Sequence, residues 1–230
     1  MIGSLVSPEL RARVRGIAIP IALALGRLGL SPNALTLIGF GIAIVAAWAA
    51  AQQAWVAAGL LVIFGGVFDL FDGALARATN KVSRLGGFLD SVFDRAGESI
   101  LYIGIAMGCL AAGFALGAIL AATGMGASFM VSYTRAKSES LGFTPGTGMA
   151  NVGVAPREVR LVLVTIGLIA TGALGGISWN GLLLDLLDNF WWNGRPVLAA
   201  TLALIAILAT ITTIQRIVHV VDQSASEEHE

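Results

Sequence analysis

The sequence predicts an all-α integral membrane protein in which six transmembrane helices are preceded by an N-terminal surface helix. Of 230 residues, 57% are hydrophobic and only 12% are charged, about half the charge of a soluble domain, and the mean hydropathy is +0.85. Apolar stretches of about 20 residues, the length that crosses a hydrocarbon core, recur six times between Gly, Pro and charged punctuation. Lys and Arg collect at one set of stretch ends and Trp at the other, as orientation and interfacial anchoring require.

Residues 1–30 are expected to form a cytoplasmic juxtamembrane helix. Arg11, Arg13, Arg15 and Arg27 bracket its apolar stretch and Pro20 interrupts it, a poor match to a cleaved leader. Ser7-Pro8-Glu9 supplies a cap, a first-position proline and an acid for the first turn, and Ser31-Pro32 starts the next helix similarly. The spans are placed near 33–52, 55–77, 85–109, 112–136, 157–177 and 195–217, within a domain covering 31–222. Between the last two, residues 182–192 carry Asp185 and Asp188 among apolar positions at helical spacing, the pattern of an outer interfacial helix. Residues 223–230 are acidic and polar, and are expected to be a disordered tail.

With the N-terminus inside, Arg11, Arg13, Arg15, Arg27, Arg77, Lys81, Arg84, Arg95, Arg135, Lys137, Arg157, Arg160 and Arg216 fall on the cytoplasmic side and only Arg195 lies outside. Trp55, Trp179, Trp191 and Trp192 sit at the opposite ends. The expected location is thus the cytoplasmic (inner) membrane, with both termini and the active site facing the cytoplasm. Fourteen basic and fourteen acidic residues cancel, so the positive field of a nucleic-acid binder is missing. The single Cys109 excludes an intramolecular disulfide and a cysteine-rich zinc site.

Ionisable groups within membrane helices are costly and mark function. Asp69 and Asp72 are three apart near the end of the second span, and Asp90 and Asp94 are four apart near the start of the third. Each spacing places two carboxylates on one helix face, and the short link predicts antiparallel neighbouring helices that merge the pairs into one cluster. Four adjacent carboxylates repel strongly in a low dielectric, and divalent cations resolve the repulsion. All-oxygen ligands favour Mg²⁺, Mn²⁺ or Ca²⁺, and paired metals are a recurrent device for holding phosphate oxygens. Gly73, Ala76 and Arg77 follow on the Asp69 face and leave room for a bulky ligand gripped by a guanidinium. Gly86, four residues before Asp90, opens the facing helix. The alternative reading is a cation pathway, although transporters place such groups near the bilayer midplane and these lie at one end.

Written out, the stretch is Asp69-x2-Asp72-Gly73-x2-Ala76-Arg77-x8-Gly86-x3-Asp90-x3-Asp94. It resembles the signature of the CDP-alcohol phosphotransferase family with every position filled, and the six-helix plan is similar too. The resemblance implies transfer of a substituted phosphate from a CDP-linked donor, usually CDP-diacylglycerol, to an alcohol, with release of CMP. It further implies that Asp69, Asp72, Asp90 and Asp94 hold two divalent cations, Mg²⁺ or Mn²⁺, and that Asp94 is also the general base. Asp69, Asp72, Gly73, Ala76, Arg77 and Gly86 would line the CDP site. A homodimer is implied as well.

Arg135 and Lys137 end the fourth span, Arg157 and Arg160 begin the fifth and Arg216 ends the sixth. Five cations beside an acidic, metal-holding site point to an anionic acceptor, most simply an alcohol carrying a phosphate. The runs from Arg27 to Thr36 and from Ser132 to Glu139 look like those of prokaryotic phosphatidylinositol-phosphate and archaetidylinositol-phosphate synthases, which use inositol 1-phosphate. By that resemblance Arg135, Lys137, Arg157, Arg160 and Arg216 are candidates for the acceptor-phosphate pocket. One departure stands out: where that group places a Glu before each arginine of the Arg-x-x-Arg pair, this chain has Pro156 and Val159. Glycerol 3-phosphate is the runner-up acceptor, and the donor lipid is CDP-diacylglycerol or a CDP-linked ether lipid.

Overall fold

The computed structural model describes residues 8–143, 149, 152–177 and 194–227. Among them are seven helices and no strand: α1 (Pro8–Arg27), α2 (Pro32–Ala51), α3 (Trp55–Ala78), α4 (Arg84–Ala111), α5 (Ala115–Ser140), α6 (Arg157–Ala173) and α7 (Arg195–Glu227). The expectations for Ser7, Trp179, Trp191, Trp192 and the 182–192 segment fall outside the described residues.

Local chemistry sets the boundaries. Ser31 caps α2 by accepting from the Ala34 N–H at 3.2 Å, with Pro32 at the first position. At the end of α3, Asn80 takes the left-handed conformation (φ 54). This lets the Lys81 N–H reach the Ala76 carbonyl at 2.9 Å, the bond that closes a Schellman turn. Two residues later Ser83 caps α4 through the Gly86 N–H at 3.0 Å. Helix α6 stops at Ala173, short of the expected 177, because Gly175 and Gly176 both adopt positive φ. Helix α7 runs straight through the expected start of the tail, and the Ser226 hydroxyl donates to the Asp222 carbonyl one turn back.

Helices α2, α3, α5 and α7 are long and apolar enough to cross a membrane. Helix α4 keeps Asp94, Arg95 and Glu98 beside its apolar half, and α6, with 17 residues, is about 26 Å long against a core of roughly 30 Å. Large apolar side chains such as Leu60, Phe64, Ile119, Ile166 and Ile207 are exposed on outer faces. Such a surface suits lipid.

Six helices close a ring in the order α2, α3, α6, α7, α5, α4, and α1 packs outside it on α3. Helices α3 and α4 were expected to be direct neighbours. Instead α2 stands between them and packs on both. Small residues make this possible, since without a hydrophobic drive membrane helices associate through close packing. A Cβ on Gly97 would touch the Ala43 side chain, and one on Gly104 or Gly108 would run into the Ala47 or Ala50 backbone of α2. The Gly104 and Gly108 pair is therefore spent on packing inside the chain. Arg195 donates to the carbonyls of Ala112 and Ile177, tying the end of α4 to the segment after α6.

Candidate active site

The ring encloses an open cleft between α2, α3, α4 and α6. Its inner walls are apolar, with Phe40, Ala43, Leu61, Val62, Leu101 and Leu161, and its polar end carries Asp69, Asp94, Glu98 and Arg157. Because α2 separates α3 from α4, the carboxylates face one another across a gap.

Arg157 spans that gap. One of its terminal nitrogens, Nη2, donates to Asp69 Oδ2 at 3.1 Å and the other, Nη1, lies 2.9 Å from Asp94 Oδ1. Arg95 approaches the second Asp94 oxygen at 3.6 Å. Asp72 turns toward α2, where it is 6% exposed and accepts from the Thr36 hydroxyl at 2.6 Å. Asp90 is half-buried one turn before Asp94, within electrostatic reach of Asp69 and Arg157. Gly39 lets α2 approach, since a Cβ there would lie 3.1 Å from Asp69 Oδ1. Arg77 folds back over Gly73, its guanidinium nitrogens 3.2 and 3.3 Å from where a Cβ would be.

No three His, Cys, Asp or Glu side chains already converge on one point among the described residues. Asp69 and Asp94 instead meet on the Arg157 guanidinium. The donor set nevertheless fits a hard divalent cation: all its ligand atoms are oxygen, and a positive group already stands between two of the carboxylates.

The model of the CDP-alcohol phosphatidyltransferase family matches residues 29–224, which takes in the ring and the whole cleft. The chain belongs to that family. It is a transferase of substituted phosphate groups. An archaetidylinositol phosphate synthase of Pyrococcus horikoshii is 36% identical over 158 residues, covering 69% of this chain and 79% of the relative. The crystal structure of Mycobacterium tuberculosis phosphatidylinositol phosphate synthase with CDP-DAG bound superposes with a TM-score of 0.73 at 25% identity, covering 89% of this chain and 93% of that one. The same enzyme in complex with manganese and citrate gives 0.71 at 26%, covering 88% of each chain.

Within this family member the expected acceptor cations occupy different positions. Arg157 alone of the five lines the cleft. Arg160, 1% exposed, is bound through Nε and Nη2 to Glu98 at 2.9 and 2.8 Å and through Nη1 to the Ala155 carbonyl at 3.0 Å. Arg216 is also buried and donates to the carbonyls of Val152 and Val131. A buried guanidinium requires acceptors, and these were within reach. Arg135 pairs with Glu139 one turn on, at 2.8 Å, and Lys137 is exposed. The positive groups still gather, since Arg216 feels the like charges of Arg135, Arg160 and Arg95. Thr36 and Glu98 were missed by sequence reasoning. Glu98 continues the four-residue step of Asp90 and Asp94, a signal that was available; Thr36 left none, because its partner is 36 residues away.

Proposed function

We propose that the chain transfers the phosphatidyl group of CDP-diacylglycerol, or its ether analogue, to a hydroxyl of inositol 1-phosphate and releases CMP. The observation that carries this reading is Arg157, which joins the first cation of the acceptor set to Asp69 and Asp94 of the donor signature within one cleft. The relatives named as archaetidylinositol and phosphatidylinositol phosphate synthases support the same acceptor.

Asp69, Asp72, Asp90 and Asp94 would hold two divalent cations, Mg²⁺ or Mn²⁺, and the manganese complex of the solved relative supports that assignment. When bound, these ions neutralise the pyrophosphate and the charge that develops at phosphorus. Thr36 keeps Asp72 turned to the α2 side. Gly73, Ala76 and Gly86 carry little side chain where the nucleotide would lie, and Arg77, folded over Gly73, supplies a donor fork for phosphate. Asp94 accepts the proton of the acceptor hydroxyl as its oxygen bonds to the phosphorus attached to the diacylglycerol. The phosphorus–oxygen bond to CMP breaks, and CMP leaves with the electron pair. Arg157 holds the acceptor phosphate, with Arg135 and Lys137 as outer partners, and Arg160 and Arg216 contribute charge from behind. The apolar inner walls of the cleft exclude water, so the lipid donor is spared hydrolysis.

The enzyme sits in the cytoplasmic membrane with six spans, α2 to α7. The low-hydropathy α4 and the short α6 complete the ring beside the four long apolar helices, and α1 lies at the cytoplasmic surface. Exposed apolar residues of α1, Ile19 and Ile21, support that placement. We place it as a homodimer on family grounds. The test is CMP release by purified protein with CDP-diacylglycerol and Mg²⁺, offered inositol 1-phosphate, glycerol 3-phosphate, serine or free inositol. Release with inositol 1-phosphate alone, lowered about a hundredfold but still measurable in Arg157→Gln, is the expected result. Release only with glycerol 3-phosphate would move the acceptor and keep the chemistry, and no release with any acceptor would overturn the reading.

A further inference from the structure

The pair formed by Glu98 and Arg160 lies deeper in the ring than the carboxylates of the signature. Glu98 is 7% exposed and Arg160 is 1% exposed, and two parallel hydrogen bonds join them. Replacing such a buried pair with apolar residues is often neutral or stabilising, so stability alone is a weak reason for it. Register supplies a better one. On α4, Glu98 stands one turn beyond Asp94; on α6, Arg160 stands three residues beyond Arg157. The contacts from Arg157 to Asp94 and from Arg160 to Glu98 are two rungs of one ladder between the same helices.

The inner rung also fixes the chain that enters α6. The third bond of Arg160 goes to the Ala155 carbonyl, while the Ala155 N–H donates to the Thr212 hydroxyl and the Val154 N–H to the Gln215 side chain, both on α7. The outer rung has less to hold it. Among the described residues, Arg157 is held only through its terminal nitrogens, by Asp69 and Asp94, and its buried Nε has no hydrogen-bond partner, so how it reaches those carboxylates depends on where α6 puts it.

We propose that Glu98 is a positioning residue, which through Arg160 sets the register of α6 and so holds the Arg157 guanidinium between Asp69 and Asp94. It touches no substrate in this role. The inference rests on the active-site reading of Arg157 and Asp94 given above. In the metal-free protein Arg157 and a divalent cation compete for Asp69 and Asp94, so loosening Arg157 favours the cation.

The test is a double-mutant cycle of Glu98→Gln with Arg157→Gln, read in two ways. Mn²⁺ titration followed by the electron paramagnetic resonance signal of free Mn²⁺ should show binding tightened about threefold by Glu98→Gln in the wild-type background and unchanged in the Arg157→Gln background. CMP release should fall about tenfold in kcat/KM with Glu98→Gln alone and by much less once Arg157 is already Gln. Equal effects of Glu98→Gln in both backgrounds, on affinity and on rate, would show that Glu98 acts independently of Arg157 and overturn the proposal. Where Glu98→Gln fails to fold, Arg160→Lys keeps the charge, loses the fork and runs the same cycle. Absence of CMP release from the wild type would defeat the functional reading, and the Mn²⁺ cycle would still decide this one.

Discussion

Gly104→Ala reverses the sign that helix propensity alone would give. In a helix interior Ala is favoured over Gly by about 1 kcal/mol, so on an open face the substitution stabilises. At Gly104 the added Cβ would lie 2.7 Å from both the carbonyl carbon and the Cα of Ala47 on α2, and closer still to the oxygen. Ordinary carbon contacts begin near ~3.5 Å, so α2 and α4 must part by roughly 1 Å. Overpacking of this kind costs about 1–3 kcal/mol. Set against the propensity gain, the net expectation is a loss of up to about 2 kcal/mol, read as a fall of up to roughly 8 °C in the thermal midpoint of the detergent-purified protein. Activity should fall as well, because α4 carries Asp90 and Asp94. Gly126→Ala on α5 is the control, since a Cβ there meets nothing within 4 Å, and its midpoint should hold or rise. If Gly104→Ala is as stable as that control, α2 does not stand against α4 in this way.

Thr36→Val keeps the shape of the side chain and removes the donor to buried Asp72. Hydrogen bonds to charged groups contribute about 1.5–3 kcal/mol, so Mn²⁺ affinity measured by titration should weaken at least about tenfold, and an unchanged affinity would contradict the role given to Thr36. Asp94→Asn should abolish CMP release while leaving much of the nucleotide affinity measured by calorimetry; equal loss of both would make Asp94 only a ligand. Chelation with EDTA should stop turnover, restored by Mg²⁺ or Mn²⁺, yet lower the thermal midpoint little, because Arg157 already bridges Asp69 and Asp94 without metal. Global unfolding on chelation would refute that view of Arg157.

Much of the architecture was legible because membrane helices announce themselves through composition, caps and charge. Ser31-Pro32 sets its boundary by a rule that acts within a few residues, whereas Gly175 and Gly176 end α6 before the expected 177. Periodicity pairs Asp69 with Asp72 and Asp90 with Asp94 along their helices, but only Asp69 and Asp94 line the cleft, and Asp72 turns to Thr36. The arrangement between helices was less legible. A short link suggested that α3 and α4 touch, but Gly97, Gly104 and Gly108 give α2 a closer fit on α4 than a larger partner face would allow. Arg160 and Arg216 looked equivalent to Arg157 along the chain, and only burial separates them: both satisfy their donors inside the bundle, whereas Arg157 reaches the cleft. The extension of α7 to Glu227 follows from local hydrogen bonding that polar composition had hidden.

The central claim is direct transfer from a CDP-linked lipid to a phosphorylated polyol. It is tested by mass spectrometry of the reaction of purified protein with CDP-diacylglycerol, Mn²⁺ and inositol 1-phosphate carrying ¹⁸O in its hydroxyl groups. The expected result is a phosphatidylinositol phosphate that retains the label at the new phosphate ester, formed in a one-to-one ratio with CMP. Phosphatidic acid formed with CMP, or CMP without any labelled lipid, would contradict it.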